Sequence, residues 1–205
     1  MLAVAQRIHG CGRNISTSNM HLDTDPLLNL PNPVRSALLK AGWIPGALRG
    51  PRPLGTLLAH SNAERILAEL HGLEVMPFEG AGRWRKFRVC FDPEIARGYE
   101  DETRELGVRL NAHLAPIANV GNGVAIMLIA DTGHILLLGY AESGVLLAGS
   151  TFGEAMQKTL AGEGFRMVCF TSEGAGRFWN EEFDCDDPTN YYPGPTGLRG
   201  PIPSP

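Results

Sequence analysis

Residues 124–140, VAIMLIADTGHILLLGY, form the most apolar stretch of the chain and the one that most limits its fold. Two runs rich in Ile, Leu and Val flank Asp131, Thr132 and Gly133, and a short Asp/Gly link between β-prone runs signals a hairpin. Gly133 is the residue suited to a positive φ there. Neither arm alternates between apolar and polar residues, so both faces of the strand pair are expected to be covered, which places it at the centre of a sheet.

Around that centre, other segments read as cover or edge. Residues 26–40 read as a short amphipathic helix with Pro33 in its first turn. The turn Gly42-Trp43-Ile44-Pro45-Gly46 then presents Trp43 as a lid on the core. Ser61 and Glu64 read as a capping box for a helix over 61–70, with Gly72 at its C-terminal end. Strands are expected at 73–77 and 84–91, the second with a basic outer face. Asp92-Pro93 reads as a helix start, with Leu106 on the same helix after a break at Gly98. Residues 108–120 contain Pro116 and read as an edge strand or extended segment, because proline cannot donate to a central ladder. A short strand at 145–148, a helix capped by Thr151 and Glu154 and ended by Gly162, and a last strand at 165–171 follow.

This order suits a single α+β domain over residues 26–172, built on a mainly antiparallel, twisted sheet of about five to six strands packed by three to four helices. Residues 1–25 read as a disordered extension within which Met20 offers an alternative start. Residues 173–192 form an acidic and aromatic segment, and residues 193–205, with Pro193, Pro195, Pro201, Pro203 and Pro205, read as a disordered tail.

The net charge of −4 is unevenly spread. Residues 92–106 hold six acids against two bases, and residues 173–187 six acids against one, which leaves the rest of the chain net positive. No basic stripe of the kind that binds nucleic acid runs through it. The four cysteines, Cys11, Cys90, Cys169 and Cys185, are scattered without CxxC spacing, so neither a zinc site nor a disulfide framework is indicated, and a reducing cytoplasm is the natural setting. No apolar run reaches membrane-spanning length.

Catalytic motifs are sparse. Asp131-Thr132-Gly133 matches the tripeptide with which aspartic proteases place a carboxylate, so a homodimeric hydrolase using Asp131 is one reading; the second carboxylate is missing, and a hairpin turn explains the same residues. Ser150 lacks a G-x-S-x-G context, and the Gly149-Ser150-Thr151 run lacks the lysine of a phosphate loop. Glu181, Glu182, Asp184, Asp186 and Asp187 do not follow calcium-loop spacing. No catalytic, metal-ligating or cofactor-binding residue is therefore assigned, and no cofactor is expected.

Several short motifs, taken in order, carry a family resemblance: residues 41–46 (AGWIPG), the helix 63–70 ending in Gly72-Leu73, Phe91-Asp92-Pro93, Leu114-Ala115-Pro116-Ile117, the turn 129–135 (IADTGHI) and residues 149–155 (GSTFGEA). Together they resemble the third family of the SUKH superfamily, over about residues 33–165. Ala118 and His134 depart from its usual residues. The resemblance implies a compact α+β fold and an immunity protein of a bacterial polymorphic toxin system, an antitoxin that binds and neutralises a cognate toxin domain. It implies no catalytic residues, and Trp43, Gly46, Asp131, Gly133, Thr151 and Glu154 then stand as structural positions.

The expected partner is that toxin domain, with no direct nucleic-acid or membrane contact and the chain acting as a cytoplasmic monomer. A nuclease or deaminase is the expected toxin class, because such enzymes offer a cationic groove to opposing carboxylates. Two acidic surfaces qualify. One is Glu100, Asp101, Glu102 and Glu105; the other, favoured for its aromatic neighbours, is Trp179, Glu181, Glu182, Phe183, Asp184, Asp186 and Asp187.

Overall fold

The computed structural model describes residues 25–49, 60–80, 86–92, 94, 98–140, 144–170, 175–178, 181–194 and 197–198. The expected hairpin lies at its centre. Strands β4 (Ala125–Ala130) and β5 (Ile135–Gly139) pair antiparallel from Ala125 opposite Gly139 to Ile129 opposite Ile135. The Gly133 N–H donates to the Ala130 carbonyl at 2.9 Å, the Ala130 N–H donates to the His134 carbonyl at 2.9 Å, and Gly133 has φ +87°. That is a three-residue loop closed by a left-handed glycine, a geometry whose twist matches the strands.

Every residue of β4 is buried, so both faces of the sheet carry a core. On one face Met127, Ile129, Ile135 and Leu137 pack with Val34 and Leu38 of α1 (Asn32–Lys40), Ile66 and Leu70 of α2 (Ser61–Leu70), and Phe152, Met156 and Leu160 of α4 (Phe152–Ala161). On the other, Ile126, Leu128, Ala130 and Leu136 pack with Leu106 and Leu110 of α3 (Glu100–Leu110) and with Tyr191 and Leu198 near the C-terminus.

Seven antiparallel strands make up the main sheet, ordered as in the chain: β1 (Glu74–Val75), β2 (Val89–Cys90), β3 (Leu114–Val120), β4, β5, β6 (Val145–Gly149) and β7 (Arg166–Met167). With the four helices among the described residues, the chain is an α+β domain. The expectation of an edge strand at Pro116 is corrected, since β3 is third in the order and pairs with both β2 and β4. Proline is tolerated there because the two-residue β2 reaches only Asn119 and Val120. Pro116 faces a strand on the β4 side alone, next to a register shift that separates it from Ala118. Of the strand expected over 84–91, residues 84–85 lie outside the described residues, and among the described ones ladder pairing is confined to Val89 and Cys90, although Phe87, Val89 and Phe91 are buried as its alternation requires.

Helix boundaries differ from the sequence reading in informative ways. Helix α1 begins at Asn32 rather than Pro26, because Asp25 turns the chain beforehand, its Oδ1 accepting the Leu27 N–H at 3.0 Å. Residues 1–24 of the expected extension lie outside the described residues, whereas Asp25 is held by Arg65 at 2.8 Å. The capping box on α2 does not form. His60 occupies the capping position, and its Nδ1 accepts the Ala63 N–H at 3.3 Å. Pro93 and residues 95–97 of the helix expected from Asp92 lie outside the described residues; Asp92 Oδ1 accepts the Glu94 N–H at 3.0 Å, and α3 starts at Glu100 and absorbs Val108 to Leu110, which had read as extended. Asn111 ends it in the left-handed conformation.

Beyond the last strand of the main sheet the chain forms further structure, while residues 195–196 and 199–205 of the expected tail lie outside the described residues. Strands β8 (Ala175–Phe178) and β9 (Glu181–Asp184) form an antiparallel hairpin, with Phe178 and Cys185 buried in the first core. Val168 and Tyr191 then make a parallel bridge, the Tyr191 N–H donating to the Met167 carbonyl and the Cys169 N–H to the Tyr191 carbonyl, each at 2.9 Å. Even within the proline-rich tail Leu198 is 1% exposed, and its N–H donates to the Leu110 carbonyl at 3.2 Å, capping α3.

Gly197 makes that approach possible. A Cβ there would lie 1.9 Å from the Leu110 carbonyl oxygen at φ +72°, whereas Gly72, at φ +75°, has open space around it. Gly197→Ala is therefore expected to destabilise by roughly 1–3 kcal/mol more than Gly72→Ala, through steric conflict added to a shared backbone strain. Thermal unfolding of the two variants checks this, and equal melting temperatures would contradict the seating of the C-terminal segment.

Candidate functional site

The acidic face favoured from the sequence is built on the β8–β9 hairpin. Register sets Arg177 opposite Glu182 and Gly176 opposite Phe183. Alternation along β9 turns Phe183 partly inward against the core and leaves Glu182 and Asp184 exposed, while Asp186 and Asp187 follow in an exposed turn. Glu181 belongs to β9, and its side chain and all of Trp179 lie outside the described residues.

This face is fixed to the sheet. The Gly144 N–H bonds the Arg177 carbonyl, and a Cβ at Gly144 would lie 2.8 Å from that oxygen, so only glycine lets the hairpin so close. Asn190, 4% exposed, ties the acidic turn down: its Nδ2 donates to the Asp184 carbonyl, and its Oδ1 accepts the Met167 N–H at 3.2 Å. Within the turn the Asp184 carboxylate accepts the Asp186 N–H at 2.9 Å. The Asp187 carboxylate accepts the Thr189 N–H at 2.8 Å and hydroxyl at 2.7 Å, and those bonds hold its pKa below the usual carboxylate range. The carboxylates are thus organised on a frame before any partner arrives.

The second acidic surface is used differently. Glu100, Asp101 and Glu102 occupy the first turn of α3, where negative charge offsets the helix dipole. Glu100 accepts the Gly98 N–H at 2.8 Å, Asp101 pairs with Arg104, and Asp101, Glu102 and Glu105 are exposed. Much of this charge already serves the helix itself.

Residues assigned structural roles hold the frame. Trp43 is buried, and its Nε1 donates to Glu69 Oε2 at 3.0 Å. The same oxygen accepts the Gly46 N–H at 2.9 Å, and Arg65 pairs with Oε1 at 2.5 Å. Glu69, 1% exposed, thereby joins the Trp43–Gly46 loop to α2. Sequence reading missed it; the signal was a buried indole N–H that needs an acceptor. Thr151 Oγ1 accepts the Glu154 N–H at 3.2 Å, and Glu154 reaches back to the Ser150 N–H at 2.8 Å and forward to Lys158 at 2.6 Å. Those bonds hold the Glu154 carboxyl below its ordinary pKa against the opposing effect of burial.

An open groove of about 600 Å³ lies between Asn29 and Pro31 and the outer side of α4, but Glu154 and Lys158, which line it, are spent on each other. Among the described residues no three His, Cys, Asp or Glu side chains are grouped to hold a metal. Asp131 is exposed in its turn, and its N–H donates to the His113 carbonyl at 3.0 Å.

His60 is the other residue the sequence reading missed. It is 4% exposed and stacks on His113 with centroids 5.4 Å apart. Burial, reinforced by His113 and opposed by Asp131, lowers its pKa; burial, opposed by Glu154, lowers that of His134. Both are therefore neutral in the fold where the unfolded chain already binds protons, so stability holds above the ordinary value of 6.5 and is lost as pH falls below it. Protonation would also turn the capping Nδ1 from acceptor to donor. The melting temperature is expected to fall as pH drops through 6.5, with a shallower fall in His60→Asn, which keeps a capping acceptor but cannot titrate. An identical pH profile in the variant would contradict the role given to His60.

No family model matches the chain, and no curated protein or solved structure matches it either.

Proposed function

We propose that this chain is an immunity protein that binds and neutralises a cognate bacterial toxin domain in the cytoplasm, acting as a monomer. The observation that carries the reading is the pre-ordered acidic face: Glu182, Asp184, Asp186 and Asp187 are exposed on a hairpin and turn bonded to the sheet through Gly144 and Asn190. A fixed anionic surface suits a cationic partner, because little ordering entropy is lost on docking and opposite charge speeds encounter. Toxins that cleave or deaminate nucleic acid carry such cationic grooves, and occluding one blocks substrate. The SUKH resemblance of residues 33–165 points to the same class.

Co-expression with a toxin domain encoded beside this gene tests the proposal through rescue of growth. With that partner in hand, joint replacement of Glu182 by Gln and of Asp184, Asp186 and Asp187 by Asn removes charge while Asn Oδ1 still accepts the turn hydrogen bonds. Association at low salt is expected to slow by roughly tenfold or more, and the salt dependence to flatten. The counterpart on α3, Asp101→Asn with Glu102→Gln and Glu105→Gln, is expected to leave association near wild type. The reverse outcome would move the binding face to α3. Asp131→Asn is expected to retain neutralisation; a proteolytic activity lost in that variant would instead favour the hydrolase reading.

A further inference from the structure

Two of the three cysteines described as free, Cys169 and Cys185, meet beneath the acidic hairpin. Cys169 follows β7, its N–H bonded to the Tyr191 carbonyl, and Cys185 follows β9. Asn190 clamps the two segments together by bonding the residue before Cys185 and Met167 of β7. The Cys185 side chain lies close enough to perturb the Cys169 thiol, with the Tyr192 hydroxyl beside Cys169. Their exposures are 3% and 8%, so both belong to one core, at the junction of the hairpin with the sheet.

We propose that Cys169 and Cys185 are an oxidisable dithiol that closes to a disulfide when the protein meets a disulfide oxidant of the glutathione class, fastening the acidic hairpin covalently to the sheet. In the first step Cys185, the more exposed residue of the two, attacks oxidised glutathione; a sulfur–sulfur bond to Cys185 forms, the glutathione disulfide breaks, and one glutathione leaves as its thiolate. In the second, Cys169 attacks the Cys185 sulfur and releases the other glutathione. Two cysteine sulfurs are oxidised, two glutathione sulfurs are reduced, and the two thiol protons pass to the glutathiones. Burial, and the neighbouring Cys185 side chain, push the Cys169 thiol up to about 12, which assigns it the second step and makes closure slow in the folded protein. The inference does not depend on the immunity reading, because it concerns only how the hairpin is held.

The test uses the full chain, wild type and with Cys11→Ser and Cys90→Ser together, so that only the pair remains. Each is incubated with oxidised glutathione, both folded and during refolding from denaturant, which bypasses burial. Expected are loss of two hydrogens by intact mass, a non-reduced digest peptide joined through Cys169 and Cys185, reversal by dithiothreitol, and a melting temperature raised on the order of 5–10 °C. Free thiols after refolding in the oxidant, a glutathione adduct that never closes, or wild-type linkage through Cys11 or Cys90 would each overturn the proposal.

Discussion

The fold depends on one strand pair that has no polar face. Along β4 and β5, neighbouring residues such as Met127 and Leu128 are each fully buried on opposite sides. Each such side chain contributes about 1.5–3 kcal/mol when removed from water, so leaving either face bare would cost more than a domain's usual net stability. Three helices cover the first face. Among the described residues α3 is the one helix on the second, and Tyr191 and Leu198 add to its cover. Tyr191 and Leu198 are thus recruited by the same apolar saturation that makes the hairpin conspicuous.

This explains what could be read from the sequence and what could not. The hairpin, its Gly133 turn, and the Thr151 cap and Gly162 stop of α4 are local, each written within a few consecutive residues. The short sheet edges were not legible in the same way, because Val89 stops pairing where its distant partner β3 turns away, and Pro116 is acceptable only because β2 is short. Tyr191 and Leu198 sit among prolines, acids and glycines, a composition that suggests disorder until the uncovered face is counted. His60 displaced the capping box for a similar reason: its ring stacks on His113, far along the chain.

Polar groups do the fastening. Glu69 binds the Trp43 loop to α2, and Asn190 binds the acidic turn to β7; both are buried and both join segments remote in sequence. A buried polar group costs free energy unless bonded, so each specifies one arrangement of loops rather than adding bulk stability. For the acidic face the result is an anchored backbone on which the Asp184 and Asp187 carboxylates are hydrogen-bonded in place and Glu182 and Asp186 are exposed, and the functional proposal stands on that property. Only part of this was readable beforehand: the residues of the face were identifiable from their charge, but their anchorage through Gly144 and Asn190 depends on tertiary contacts.

The central claim, that the C-terminal segment is an integral layer over the second sheet face, is tested most directly by native-state amide hydrogen exchange. The amides of Cys169, Tyr191 and Leu198, bonded to Tyr191, Met167 and Leu110 carbonyls, are predicted to exchange slowly, those of Cys169 and Tyr191 through openings comparable to those of β4 and β5. Exchange of the Tyr191 and Leu198 amides at the rate of an unstructured chain, with β4 and β5 still protected, would contradict it.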